Sequence, residues 1–202
     1  MAPYPAELET SEMLQGGAVV RLRPVRPEDE PLLQNFAAHM DPEDLRLRFF
    51  APMRGLSHQL AARLSHIDYE REMALMALAD RAEETLGVTR FSADPDKRVA
   101  EFAIAVRSDW KGQGLGHLLM TRMIEAARQR GIDELVGEVL PENTAMRKLS
   151  REFGFFIGMD PNDPKLLRVS KKLQDAGALT AVDAATELPR SASAATSGIV
   201  RG

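Results

Sequence analysis

The sequence contains no cysteine among its 202 residues, so disulfide bonds, thiolate metal sites and a cysteine nucleophile are excluded. It has no run of about 18 apolar residues, and its first residues lack a basic region followed by an apolar core. It also lacks a basic excess, because the formal net charge is −4, whereas nucleic-acid-binding domains are usually strongly basic. The four histidines are too scattered for a metal site. We therefore expect a cytoplasmic protein that binds neither nucleic acid nor membrane and holds no metal.

The composition favours one folded domain between two irregular ends. A hydrophobic content of 44% in a chain of this length is enough for one sizeable core. Residues 174–202 are rich in alanine, serine, threonine and glycine, and cannot bury enough apolar area to offset the entropy of ordering. Residues 1–17 show no periodicity. We predict a flexible N-terminal segment (1–17), a folded domain (18–173) and a disordered C-terminal tail (174–202).

Short strands and helices alternate within the predicted domain. A strand over 19–25 precedes a helix with an acidic start, and two further short helices follow, the second with Ser57 as its N-cap. Strands are then predicted over 71–79, 84–92 and 98–106, and after them helix, strand, helix and two closing strands. Hairpins give antiparallel pairs, and the strand–helix–strand unit after residue 106 gives a parallel one. The fold class is therefore α/β, with a mixed, mostly antiparallel central sheet flanked by helices.

Three glycines follow the third of these strands, in the segment WKGQGLGHLLM (110–120). A glycine inside an element costs roughly 0.5–1 kcal/mol relative to alanine, so Gly112, Gly114 and Gly116 need a reason. The segment matches neither the P-loop nor the dinucleotide fingerprint G-x-G-x-x-G. Either it is a flexible turn, or its bare amides approach a phosphate at the start of a helix.

The strand before this loop places a carboxylate beside two small side chains. Alternation puts Phe102, Ile104 and Val106 on one face and Glu101, Ala103 and Ala105 on the other. The alanines leave room above Glu101 for a ligand. Alternatively, Glu101 points into solvent or pairs with an arginine.

These residues together resemble a known family. The string K-G-Q-G-L-G, between an alternating strand and an amphipathic helix, is similar to the acetyl-CoA loop of the GNAT N-acetyltransferases. Asn143, in PENTAMRKLSREFGF, is similar to the family's later cofactor-contacting asparagine. More narrowly, LRFF (47–50), HIDYEREMALMAL (66–78) and AEFAIAVRSDWKGQGLG (100–116) resemble the catalytic domain of bacterial Pat-type protein lysine acetyltransferases. The resemblance extends from about residue 19 to residue 173.

The resemblance implies a GNAT-like fold, acetyl-CoA as co-substrate and a cofactor arm that wedges like an extra strand between two splayed strands. The amides of Gly112 to His117 would hold the pyrophosphate, Asn143 the pantetheine arm, and the amide of Val106, with Ile104 beside it, the thioester carbonyl. The cofactor-binding residues expected on this basis are Ile104, Ala105, Val106, Lys111, Gly112, Gln113, Gly114, Leu115, Gly116, His117 and Asn143. Glu101 is our candidate general base, because an amine with a pKa near 10.4 must lose a proton before it attacks.

Two positions depart from the family pattern. Lys111 stands where Gln or Arg is usual, which weakens one phosphate contact without removing the amide cradle. Ser150 stands where many members carry a tyrosine general acid, so that variant of the mechanism is doubtful here.

Three functions remain open at this level. The first is acetylation of a lysine in a protein, for which the resemblance implies an AMP-forming acyl-CoA synthetase as partner. The second is acetylation of a small amine such as a polyamine, an antibiotic or an amino acid. An aromatic content of only 5% favours an open, protein-accepting groove over a closed pocket. The third is a non-catalytic CoA-binding regulator, which would need the loop but not Glu101.

Overall fold

The structure, a computed structural model, describes residues 2–80 and 82–173. Within these residues eight strands form one sheet: β1 (Thr10–Met13), β2 (Val19–Pro24), β3 (Glu72–Ala79), β4 (Thr85–Ala93), β5 (Val99–Val106), β6 (Glu134–Val139), β7 (Phe156–Met159) and β8 (Leu167–Lys172). The five α-helices of the same residues are α1 (Glu30–Ala38), α2 (Pro42–Phe49), α3 (His58–Ser65), α4 (Leu115–Gln129) and α5 (Thr144–Glu152). The predicted tail over 174–202 lies outside the described residues.

The sheet is mixed and mostly antiparallel, as predicted. Its strand order is β1-β2-β3-β4-β5-β6-β8-β7. β5 and β6 are the parallel pair, joined through α4, and the other neighbours run antiparallel. The strand–helix–strand unit after residue 106 therefore lies at the centre of the sheet.

Helices cover both faces of the sheet. On one face α1, α2 and α3 pack on β3, β4 and β5, with Leu33 against Met76 and Phe36 and Leu45 near Val88 and Ala105. On the other face α4 and α5 cover the larger core, which includes Phe91, Phe102, Met120, Met123 and Leu135. Alternate residues of β5 thus face different layers, as the sequence pattern predicted. Ser57 caps α3, because its Oγ accepts a hydrogen bond from the Leu60 amide at 3.2 Å.

The N-terminal segment requires a correction. We predicted flexibility over residues 1–17, but residues 10–13 form β1 and pair antiparallel with β2 at the sheet edge. Leu14 follows this strand and is buried against Leu115 and Leu119 of α4. The sequence pattern missed the strand because its alternation carries a single large apolar side chain, Met13, which faces solvent. The domain therefore begins earlier than residue 18.

The helix after the glycine loop also starts earlier than predicted. Gly114 is its N-cap, with φ of 89°, and Leu115 is its first residue. The sequence suggested a start at His117, because the three glycines disguised the first turn. The first two residues of α4, Leu115 and Gly116, are therefore part of the glycine loop motif.

Candidate active site

β5 and β6 separate halfway along their length. Of the residues that the structure describes, only three pairs join the two strands, Val99 with Glu134, Ala100 with Leu135 and Glu101 with Val136. Residues 102–106 of β5 continue beside β4 alone. A V-shaped gap therefore opens between the two central strands, and Glu101 lies at its vertex.

The amides of Ile104 and Val106 point into this gap. Arg107 donates its amide to Leu86 beside β4 at 2.8 Å, and alternate residues of an antiparallel strand bond to the same neighbour. The odd-numbered residues of β5 therefore bond to β4. On the other side, the carbonyl of Arg98 accepts the Glu134 amide at 3.0 Å, so the even-numbered residues face β6. Beyond Glu101 this side has no strand to pair with, and donors in the gap are available to a ligand.

The glycine loop forms the wide end of the gap. Gly112 and Gly114 have φ of 74° and 89°, a left-handed conformation that side chains with a Cβ avoid. A Cβ built on either glycine would meet nothing within 4 Å, so the space above the loop is open. The first intrahelical bond of α4 runs from the Leu118 amide to the Gly114 carbonyl. The amides of the preceding turn have no partner in the helix and can bind an anion.

A cleft of about 550 Å³ connects the vertex with the loop. It is lined by the predicted residues Glu101, Ile104, Ala105, Val106, Lys111, Gly112, Gly114, Gly116, His117 and Asn143. Two predicted residues do not line it with their side chains. Leu115 is 1% exposed and packs in the core, and the Gln113 amide group donates to the Asp109 carbonyl at 3.2 Å. Neither residue is among those that line the cleft.

Charged side chains at the loop already have partners within the chain. The Lys111 ammonium forms an ion pair with Asp44 of α2, which also accepts a 2.6 Å hydrogen bond from the Ser108 hydroxyl. The His117 ring lies 2.8 Å, Nε2 to Oε2, from Glu152 of α5. Because Lys111 is held by Asp44, the backbone amides rather than this side chain are the loop's free donors.

Asn143 and Ser150 have different positions on α5. Asn143 is its N-cap, and the Oδ1 atom accepts the Met146 amide at 3.0 Å. This bond fixes the side chain and leaves its Nδ2 group to donate into the cleft. Ser150 is 0% exposed, and its hydroxyl has no hydrogen-bond partner among the described residues. The residue at the position of the family's tyrosine therefore lies in the core and not in the cleft.

Two cleft residues near Glu101 escaped the sequence analysis. Glu138 lies on β6 two residues beyond Val136, on the same face as Glu101, and it lines the cleft. Partial removal from water raises the pKa of Glu138, and the nearby carboxylate of Glu101 raises it further. Arg48 of α2 approaches from the helical layer. Period-2 counting from Glu134 could have found Glu138, whereas Arg48 is brought there by tertiary packing alone.

The wide end of the cleft contains a third unforeseen residue. Gln15, in the turn between β1 and β2, lines the same cleft as the glycine loop. Its position follows from Leu14, which anchors that turn on α4. The sequence could not indicate Gln15, because no element was predicted before residue 18.

Two kinds of feature are absent from the described part of the chain. Its histidine, aspartate and glutamate residues form no group of three that could hold a metal ion. None of its helices is long and apolar enough to cross a membrane.

Comparison with known proteins identifies the family. The model of the acetyltransferase (GNAT) family matches residues 42–155. An acetyltransferase of Pseudomonas aeruginosa is 32% identical over 154 residues, which cover 75% of this chain and 83% of that protein. The acetyltransferase Pat of Mycolicibacterium smegmatis is 28% identical over 155 residues, which cover 76% of this chain and 44% of Pat. The chain thus spans less than half the length of that relative.

A solved structure gives the same result. The crystal structure of the GNAT domain of S. lividans PAT superposes with a TM-score of 0.78 at 28% identity, covering 85% of this chain and all of that domain. The chain belongs to the GNAT acetyltransferase family, and its similarity to Pat-type proteins is found in both sequence and structure. It is an acetyl-CoA-dependent N-acetyltransferase, as the resemblance predicted.

The residues present fit acetyl-CoA as co-substrate. The loop offers unpartnered helix amides beneath open space, and β5 offers unpaired amides along the gap. A phosphate group and an extended amide-containing arm require donors of these two kinds.

Proposed function

We propose that the protein transfers an acetyl group from acetyl-CoA to the ε-amine of a lysine in another protein, with Glu101 as the general base. The observation that carries this proposal is the position of Glu101. Its carboxylate lies where β5 and β6 diverge, at the end of a line of free amides that begins at the glycine loop. Acetyl-CoA supplies the electrophilic thioester carbon at that vertex.

The chemistry requires a base because a lysine amine is protonated at neutral pH. Its ordinary pKa is about 10.4, so freeing the amine at pH 7 costs roughly 4–5 kcal/mol before any bond forms. Glu101 accepts this proton, directly or through a water molecule. The new C–N bond then forms as the C–S bond breaks, and the electron pair leaves with the sulfur. No acyl-enzyme is required, and the chain has no cysteine to form one.

The strand amides stabilise the reacting carbonyl. Val106 and Ile104 point their N–H groups into the gap, where a carbonyl oxygen that gains negative charge accepts hydrogen bonds from them. Gly112, Gly114 and the first turn of α4 hold the pyrophosphate through backbone amides. Asn143 donates its Nδ2 group to the pantetheine arm.

A protein acceptor is supported by the cleft's shape and composition. Glu101 and Glu138 are both exposed, and neither carboxylate has a hydrogen bond or ion pair with a described residue. Two unpaired carboxylates attract a lysine ammonium group and are accessible from outside the domain. By resemblance, we propose an AMP-forming acyl-CoA synthetase as the target.

The test is incubation of the protein with isotopically labelled acetyl-CoA and a lysate of the source cells, followed by mass spectrometry. We expect label on lysine side chains of a small number of proteins, and at least tenfold slower labelling when Glu101 is replaced by Gln. Labelling of polyamines or amino acids without any labelled protein would replace this proposal by small-amine acetylation.

A further inference from the structure

Arg48 lies in the wall of the active-site cleft. It is half-buried on α2, and its guanidinium carbon lies 4.8 Å from the ring centroid of Phe49. No residue that the structure describes makes a hydrogen bond or ion pair with it. Burying a cation without an anion is costly, so this position needs an explanation.

Arg90 lies beside Arg48 and is only weakly neutralised. Its side chain is 18% exposed, and the nearest carboxylate oxygen, on Glu72, is 3.6 Å away, which is too far for a hydrogen bond. Arg90 pairs with Ala103 in the sheet and so lies diagonally across from Glu101 on the same face. Arg48 and Arg90 both line a void of about 40 Å³ beneath α2, and Arg48 also lines the main cleft. The two arginines therefore share this void, and Arg48 extends from it to the cleft that Glu101 also lines.

The electrostatics agree with this geometry. Burial lowers the pKa of Arg48 to about 10, and the positive charge of Arg90 adds to the shift while Glu101 opposes it. Burial also lowers the pKa of Arg90, against the smaller opposing effect of Glu72, and Arg63 lowers it further. For both arginines burial is the largest cause of the shift, and the nearby carboxylates of Glu72 and Glu101 oppose it.

Elsewhere this chain neutralises its buried arginines. Arg23 makes a two-bond ion pair with Asp29, Nη1–Oδ2 at 2.6 Å and Nη2–Oδ1 at 2.7 Å. Arg107 is held by Asp109 in the same manner and also contacts Glu84. Arg48 and Arg90 therefore differ from Arg23 and Arg107 in having no hydrogen-bonded carboxylate partner among the described residues.

We propose that Arg48 and Arg90 form an anion-binding subsite that takes a carboxylate of the acceptor, close to the amine that is acetylated. Guanidinium groups bind carboxylates through two parallel hydrogen bonds, and a partly dehydrated site strengthens them. In a protein acceptor this carboxylate belongs to an aspartate or glutamate flanking the target lysine. This proposal rests on the proposed function, because the subsite is useful only if the acceptor binds on the face of β5 that carries Glu101.

The test compares two short peptides at saturating acetyl-CoA, one with glutamates flanking a lysine and one with glutamines in their place. We expect the wild-type protein to acetylate the glutamate peptide with at least a tenfold higher kcat/KM. In Arg90→Gln and in Arg48→Gln the ratio should fall to about twofold or less. Calorimetric titration of both peptides into the CoA-bound protein should give the same loss of preference.

The control variant is Arg46→Gln. Arg46 lies on the same helix as Arg48, is paired with Glu43 and Glu142, and does not line the cleft. Its substitution should leave the peptide preference unchanged. Thermal unfolding shows whether each variant is folded. If one of the two arginine variants does not fold, the other still tests the subsite.

The outcomes separate this subsite from the proposed function. A wild-type preference that persists in both arginine variants, or no preference at all, overturns the subsite. If neither peptide is acetylated but a free amino acid is, and its turnover depends on Arg90, the subsite stands and the protein acceptor is wrong. Glu101→Gln should lower turnover of the glutamate peptide at least tenfold while retaining its calorimetric preference, so failure of the base is detected separately.

Discussion

Glu101 and Val136 form the last pair between β5 and β6, and the gap opens directly beyond them. The same residue therefore ends the pairing of the two strands and presents a carboxylate at the closed end of the cleft. The point where the two strands separate is therefore also the position of the proposed general base. A base at the vertex lies next to the reactive end of a cofactor arm that binds along the free amides of β5.

Replacing Glu101 by Gln should lower turnover at least tenfold and leave acetyl-CoA binding intact. The amide cannot take the amine's proton, whereas the loop and strand donors remain in place. Steady-state kinetics and calorimetry measure the two effects. Glu134→Gln is the matched control, because Glu134 lies on β6 outside the cleft. Unchanged turnover would show that Glu101 is not the general base.

Replacing Gly114 by Ala should weaken CoA binding at least about fivefold and destabilise the fold. Its φ of 89° costs an alanine about 1–2 kcal/mol, and relief of that strain turns the loop amides away from the phosphate position. Calorimetry with CoA and thermal unfolding measure both effects. Gly55→Ala is the control, because Gly55 has open space around it and lies outside the cleft. Equal CoA affinity for the Gly114 variant and wild type would show that the loop does not bind phosphate.

Replacing Asp29 by Ala should cost about 3–5 kcal/mol in the free energy of unfolding, because it leaves the buried Arg23 without its anion. Asp29 also accepts the Arg26 amide at 2.6 Å, which adds to the loss. Urea denaturation measures the change. Asp133→Ala removes the exposed pair with Arg98 and should cost less than about 1 kcal/mol. Similar losses in the two variants would contradict this account of the buried pair.

Removing the charge of Glu101 should lower the pKa of Glu138. The Glu101 carboxylate raises the pKa of Glu138 by repulsion, although removal from water is the larger cause and persists in Glu101→Gln. The pKa should therefore fall towards, but not reach, the ordinary glutamate value. Carbon-13 NMR titration of the side-chain carboxyl measures it. A Glu138 pKa that stays the same or rises would mean that the two carboxylates do not interact.

The sequence predicted those parts of the site that depend on local pattern. Alternation along β5 placed Glu101 opposite Phe102, and the spacing of Gly112 and Gly114 predicted a loop at a helix start. These features follow from backbone geometry over a few residues. Gln15, Arg48 and Glu138 depend instead on which elements pack together, and no short-range pattern reports that. β1 escaped prediction because an exposed edge strand needs little apolar alternation to pair.

Asp44 and Arg48 are four residues apart and therefore lie on one side of α2, a helix of eight residues. Asp44 forms an ion pair with Lys111 of the glycine loop, and Arg48 lines the same cleft. Because α2 is only about two turns long, we expect a displacement of one end to displace the other as well. A ligand that draws Lys111 away from Asp44 therefore disturbs Arg48 as well. By reciprocity, we expect an acceptor bound at Arg48 to change the affinity for that ligand as well.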